Sequence, residues 1–196
     1  MRTALTLSFL LLTAAPAPAP AAETWHIDPG HSSATFSVRH LVVSTVRGEV
    51  PIREGTVETE GTGIPVSVKA VLDATKLSTG NENRDADLHG ADWFATDKFP
   101  DITFASTKIT PGATPSTFTM TGNLTMHGVT KSVTLDGKFF GTTGDPRGHK
   151  RAGYEATVTV DRRDFGLNWA RTNPAGDLVA ANDVNVTLDV EAVSGG

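Results

Sequence analysis

From Ala34 onward, apolar and polar residues alternate with a period of two, in runs bounded by Gly, Pro and Asn. That period belongs to half-buried strands. Asp28-Pro29-Gly30-His31 forms a turn, with Pro and Gly where a type II turn wants them. Ala34, Phe36 and Val38 then share one face, and the strand resumes at Val46–Val50 after a bend at Ser44. Val66, Val68, Ala70 and Leu72 line one face of a later strand. The pattern breaks at Thr79-Gly80-Asn81-Glu82, which reads as a capping box opening a short helix from Asn81 to Leu88. Ala91–Ala95 reads as a second helical turn presenting Trp93 and Phe94, and Phe99-Pro100 ends it. Alternation returns at Ile102, Phe104 and again at Phe118, Met120, Gly122 and Leu124. His127-Gly128 predicts a primed hairpin turn into Val133, Leu135, Gly137 and Phe139. Gly141–Gly153 reads as a long polar loop. Tyr154, Ala156, Val158 and Val160, then Val184, Val186, Leu188 and Val190, complete the set.

About eight such strands with one helical interruption predict an all-β antiparallel barrel or sandwich; closure removes exposed edges. A barrel of roughly that size is either filled by its own side chains or holds one slender ligand. On its own the alternating inward series reads as packed core. Small inward residues (Ala70, Gly122, Gly137 and Ala156) favour open space, which a core packed to native density does not leave.

The first residues read as an export signal. Arg2 supplies the positive start, Ala4–Leu12 the apolar stretch, and Ala19-Pro20-Ala21 the small residues before cleavage at Ala21 or Ala22. Residues 1–22 are therefore expected to be a signal peptide and 23–196 a single barrel domain. With 17 basic and 22 acidic residues, the chain lacks the basic balance that nucleic-acid binding requires, and the overall balance also argues against adhesion to anionic lipid heads. Without Cys it has neither disulfides nor a thiol nucleophile. The six His show no metal-binding spacing, and no nucleophile elbow or phosphate loop is present. No catalytic or metal-ligating residue is expected.

Seven segments in order resemble the YceI-like family. They are Trp25–Pro29; SATFSVRH at Ser33–His40; Val46-Arg47-Gly48; Asn83-Arg84-Asp85 with Leu88; and Trp93-Phe94 with Phe99-Pro100 and Ile102-Thr103-Phe104. Gly122–Thr125 with Gly128–Lys131 and Val133–Leu135, and finally Arg163–Leu167, complete the set. The chain departs from the family's usual pattern at Asn123, His127 and Ser132, all around one hairpin turn. The resemblance implies an eight-stranded antiparallel lipocalin-like barrel with a short helical insertion and a long apolar tunnel. It implies non-catalytic binding, transport or storage of a polyisoprenoid or isoprenoid quinone, with no other cofactor. Together with the export signal it implies a periplasmic location, with the extracellular medium as the alternative; a homodimer follows from the resemblance, and transient contact with a membrane or lipid donor is expected of a lipid carrier. On this reading the tunnel is lined by Phe36, Val38, Val68, Ala70, Phe104, Phe118, Met120, Leu124, Leu135, Phe139, Val186 and Leu188. Trp93 and Phe94 form a lid or simply pack the helical insert. Arg84 with Asp85 meets a ligand head group near the mouth or forms a structural ion pair or helix-end contact, and His40, inward at the end of its strand, is a ligand contact or a hydrogen-bonded core residue. The alternatives are an enzyme or a stress-related module acting on a hydrophobic substrate.

Overall fold

The computed structural model describes residues 21–194. The expected leader lies outside the described residues except for Ala21 and Ala22.

The chain forms β1 (Glu23–Ile27), β2 (Ser33–His40), β3 (Ser44–Val50), β4 (Ile52–Thr59) and β5 (Pro65–Asp73). A 3-10 turn (Ala74–Lys76) and α1 (Glu82–His89) follow. Then come β6 (Asp101–Pro111), β7 (Thr117–Met126), β8 (Val129–Gly144), β9 (Lys150–Asp161), a second 3-10 turn (Arg162–Phe165) and β10 (Ala180–Ser194). All pairings are antiparallel, and the run β4 to β10 closes because β1 pairs with both β4 and β10. β2 also pairs with β10 and, on its other side, with β3. Segments β1 and β2 are therefore one strand interrupted at the Asp28 turn, and β3 and β4 one strand bent at Pro51. The ring has eight strand positions.

Four expectations need correcting. The turn between β2 and β3 sits at Leu41 and Val42, both with positive φ, and not at Ser44. The stretch expected as a long loop after Gly141 is mostly sheet: β8 and β9 stay paired out to Gly144 and Lys150, joined by a turn that Asp145 organises. The helix is capped by Asn81, whose side chain accepts from the Arg84 N–H; Thr79 instead serves Asp85. Val66 leaves the inward face because the β4–β5 register slips at Glu58/Thr59, and it is exposed. The primed turn at His127-Gly128 has the expected positive φ at both positions.

The inter-strand turns divide between two ends. At the helical end lie the β2–β3 turn, α1 with its flanks, the β7–β8 turn and the β9–β10 connection. The opposite end is packed shut. Trp25 is buried there and donates its indole N–H to Thr59 Oγ1 at 3.1 Å. The Phe139 and Tyr154 rings lie 5.3 Å apart, and the Tyr154 hydroxyl donates to the Gly63 carbonyl. Burial and the Glu23 carboxylate push the Tyr154 phenol up to about 12, so it stays a neutral donor.

Candidate functional site

Between these ends the barrel is hollow. A cavity of about 370 Å³ runs from Ile27, Val57 and Tyr154 near the closed end to His40, Arg84, Trp93 and Trp169 beside the helix. Its lining is almost entirely apolar. Phe36, Val68, Val158, Val186 and Leu188 point inward yet are only partly buried, because their exposed surface faces the cavity. Such an enclosed, apolar space within a pre-formed scaffold is what a small-molecule site requires.

Nearly all the residues expected from the sequence meet here. Phe36, Val38, Val68, Ala70, Phe104, Phe118, Met120, Leu124, Leu135, Val186 and Leu188 line the wall, and His40, Arg84, Trp93 and Phe94 lie around the mouth. Phe139 is the exception. It shares the parity of Leu135 but falls beyond the cavity, where it covers Gly63 and stacks on Tyr154 as part of the closed end. The small inward residues also divide. Ala70 and Ala156 do face the cavity. The space at Gly122 and Gly137 is taken by the rings of Phe104 and Phe118.

The mouth is built by the excursion between β5 and β6. Asp85 accepts hydrogen bonds from Ser78 Oγ (2.8 Å) and from the Thr79 N–H (2.8 Å) and hydroxyl. Burial pushes its carboxyl up, but the Thr79 and Ser78 hydroxyls outweigh this and the net shift is downward. Arg84 Nε donates to Thr79 Oγ1 at 2.7 Å, which fixes its stem against the cavity rim. Asp85 thus braces the loop, while Arg84 alone of the pair lines the cavity.

Across the mouth, the Trp93 and Trp169 rings lie 4.9 Å apart, and the Arg162 guanidinium stands 5.5 Å from the Trp93 ring. Arg162 is only 3% exposed. It donates to the carbonyls of Ala180, Ala181 and Leu167 and to Asn182 Oδ1, so neutral acceptors hold a buried cation. Burial lowers its pKa from the ordinary guanidinium value, with neighbouring Asp161 opposing. Arg163, which opens the last of the family-like segments, instead faces out and pairs with Asp161. The signal was available: Val158, Val160 and Arg162 share one parity. Trp169 lies in an irregular connection, where no periodicity marks it.

A second polar cluster lies away from the cavity. Ligand atoms of Asp28, His31 and Glu191 all fall within 4.8 Å of one another. Arg151 already occupies that position, bound to Asp28 Oδ2 at 2.9 Å, to Asp145 Oδ2 at 3.1 Å and to Glu191. A metal ion would have to displace a guanidinium, so the donor set fits an ion-pair clamp.

The sequence match decides the family. The YceI-like domain pattern covers residues 25–192. The chain belongs to the YceI-like family. Protein YceI of Shigella flexneri is 33% identical over 165 residues, spanning 83% of this chain and 82% of that one. Among solved structures, Burkholderia cenocepacia BcnA superposes with a TM-score of 0.72 at 17% identity, over 84% of this chain and 98% of its own. A polyisoprenoid binding domain from Saccharophagus degradans, implicated in plant cell wall breakdown, gives 0.62 at 14% identity, over 87% and 98%. These similarities establish a shared YceI-like barrel.

Proposed function

We propose that this YceI-like protein is a non-catalytic carrier or store for one long apolar chain, a polyisoprenoid or isoprenoid quinone, held in the barrel and shielded from water. The observation that carries this reading is the apolar cavity of about 370 Å³ extending along the barrel, open beside α1 and shut at the other end. Burial of apolar surface, worth about 25 cal/mol per Å², supplies the driving force. The wall offers few polar contacts, so length and width of the ligand govern selection more than any one group. The polyisoprenoid binding domain with the same fold supports the ligand class. The leader composition supports export, with the periplasm as the site of action.

An enzyme on an apolar substrate has less support. Asp85 is committed to Ser78 and Thr79, and Arg162 to backbone carbonyls and Asn182, so neither is free for acid–base work.

The decisive experiment is organic extraction of protein purified from an isoprenoid-producing host, followed by mass spectrometry. The expected result is one isoprenoid lipid per barrel. Val186→Trp, which fills the cavity from its wall, should retain the fold and lose the lipid. Protein that always purifies empty, and that takes up no prenyl quinone on reconstitution, overturns the proposal.

A further inference from the structure

We infer that the β2–β3 hairpin tip is a membrane-docking element, inserting Val42 and Val43 into the interfacial layer of an anionic bilayer. Val43 is 82% exposed and Val42 61%. They are adjacent and project from the rim of the cavity: neighbouring His40 lines it, and the Leu41 N–H donates to the carbonyl of Val179, another lining residue.

The backbone of this turn is unusual for its sequence. Leu41 and Val42 have φ of 48° and 63°. The β7–β8 turn needs the same left-handed pair and uses His127 and Gly128. Left-handed backbone disfavours a β-branched residue strongly, and Asn-Gly is the usual solution. The strained turn is held in place. The Val43 N–H donates to the His40 carbonyl, and Arg39 donates to the Val42 carbonyl and to Thr45 Oγ1. The chain thus keeps two exposed apolar side chains where folding alone favours small or polar ones.

Charge selects the partner. From Arg39 to Gly48 there is no acidic residue, although the whole chain is net negative at −5 and Asp177 and Asp183 share a surface hollow with Arg39, Arg163 and Val42. Among the described residues, neither Arg39 nor Arg47 pairs with a carboxylate. Two valines fall far short of the roughly 1,000 Å² that a stable protein interface buries. They suffice for a bilayer, where a shallow apolar wedge acts together with cations facing lipid phosphates. Docked this way, the cavity mouth faces the membrane. That consequence rests on the carrier reading, but docking itself does not.

The test is flotation with vesicles of phosphatidylethanolamine and phosphatidylglycerol, free of any isoprenoid, against vesicles of phosphatidylcholine. The whole chain and the chain from Ala22, which holds every strand of the ring, are run in parallel so that binding by the apolar leader is subtracted. Binding should favour the anionic vesicles and weaken with salt. Val42→Gly with Val43→Ser keeps the turn foldable and should reduce binding about tenfold. Arg47→Glu should reduce it roughly fivefold. Val43→Trp should bind more tightly, with blue-shifted emission quenched by brominated lipid. No binding by the parent chain, undiminished binding by the double variant, or valine-dependent self-association without vesicle binding each overturns the inference. Loss of isoprenoid extraction with vesicle binding intact would instead fault the carrier reading alone.

Discussion

The ring of Phe118 lies directly over Gly137, its cross-strand partner, so that a Cβ at position 137 would come within 2.2 Å of a ring carbon. Phe36 lies over its cross-strand partner Gly48 in the same way, and Phe104 lies over Gly122, its diagonal neighbour. Each glycine lets an aromatic ring lie flat against the wall and keeps it out of the cavity. Gly137→Ala should therefore cost about 1–3 kcal/mol by overpacking. It should also tilt Phe118 into the cavity and lower lipid capacity. Phe118→Leu in the same chain should recover part of the loss, with a coupling of about 1 kcal/mol. Urea unfolding of the four proteins of the cycle measures this; additive effects would show that the ring does not hold the glycine.

Arg162 is held by three backbone carbonyls and Asn182, so its removal orphans several buried acceptors at once. Arg162→Met should destabilise the fold by about 3 kcal/mol, since each unsatisfied buried group costs roughly 1–3. Arg163→Met, whose parent side chain is exposed and paired with Asp161, should cost far less. Equal losses in chemical denaturation would contradict this assignment.

The barrel and its inward faces were legible because a strand's period of two is set by the backbone, and neither packing nor ligand alters it. Val158, Val186 and Leu188 were recoverable for that reason. Phe139 shows the limit: parity reports which face a residue occupies, but not how far along the barrel axis the cavity ends. Bulges escaped for the same reason, since one extra residue moves Val66 outward without any mark in composition. Trp169 joins the mouth through a connection whose path depends on tertiary contacts, the Trp93 ring against Trp169 and the Arg162 hydrogen bond to the Leu167 carbonyl. No local rule reaches such a residue.

Tryptophan emission should report ligand entry. Trp93 and Trp169 line the mouth 4.9 Å apart, whereas Trp25 is buried at the closed end with its N–H bound to Thr59. Titration of emptied protein with a prenyl quinone should quench fluorescence, and Trp169→Phe should remove much of the change. Trp25→Phe should leave the change intact. A signal that depends on Trp25 would place the ligand elsewhere.

Arg151 joins three parts of the chain: Asp28 after β1, Asp145 in the β8–β9 turn and Glu191 in β10. Hydrogen bonds from Arg151, then from His31, hold the Asp28 carboxyl at about 2, below its ordinary 3.8. For Asp145 burial pushes upward, but the N–H groups of His149 and Arg147 and the Arg151 guanidinium outweigh it, again giving about 2. The carboxylates raise the Arg151 pKa in turn, Asp28 most. Carboxyls depressed in the folded state contribute stability that is complete above their unfolded pKa and lost as pH falls through the folded one. The melting temperature should therefore be flat above about pH 5 and fall between about pH 4 and pH 2. Arg151→Met removes the shared partner, so it should lower the melting temperature at pH 7, with the gap to the parent narrowing as pH approaches 2. Melting curves for both proteins across that range decide the matter. A gap that stays constant with pH would mean that Arg151 acts by packing, and that Asp28 and Asp145 are held down by other groups.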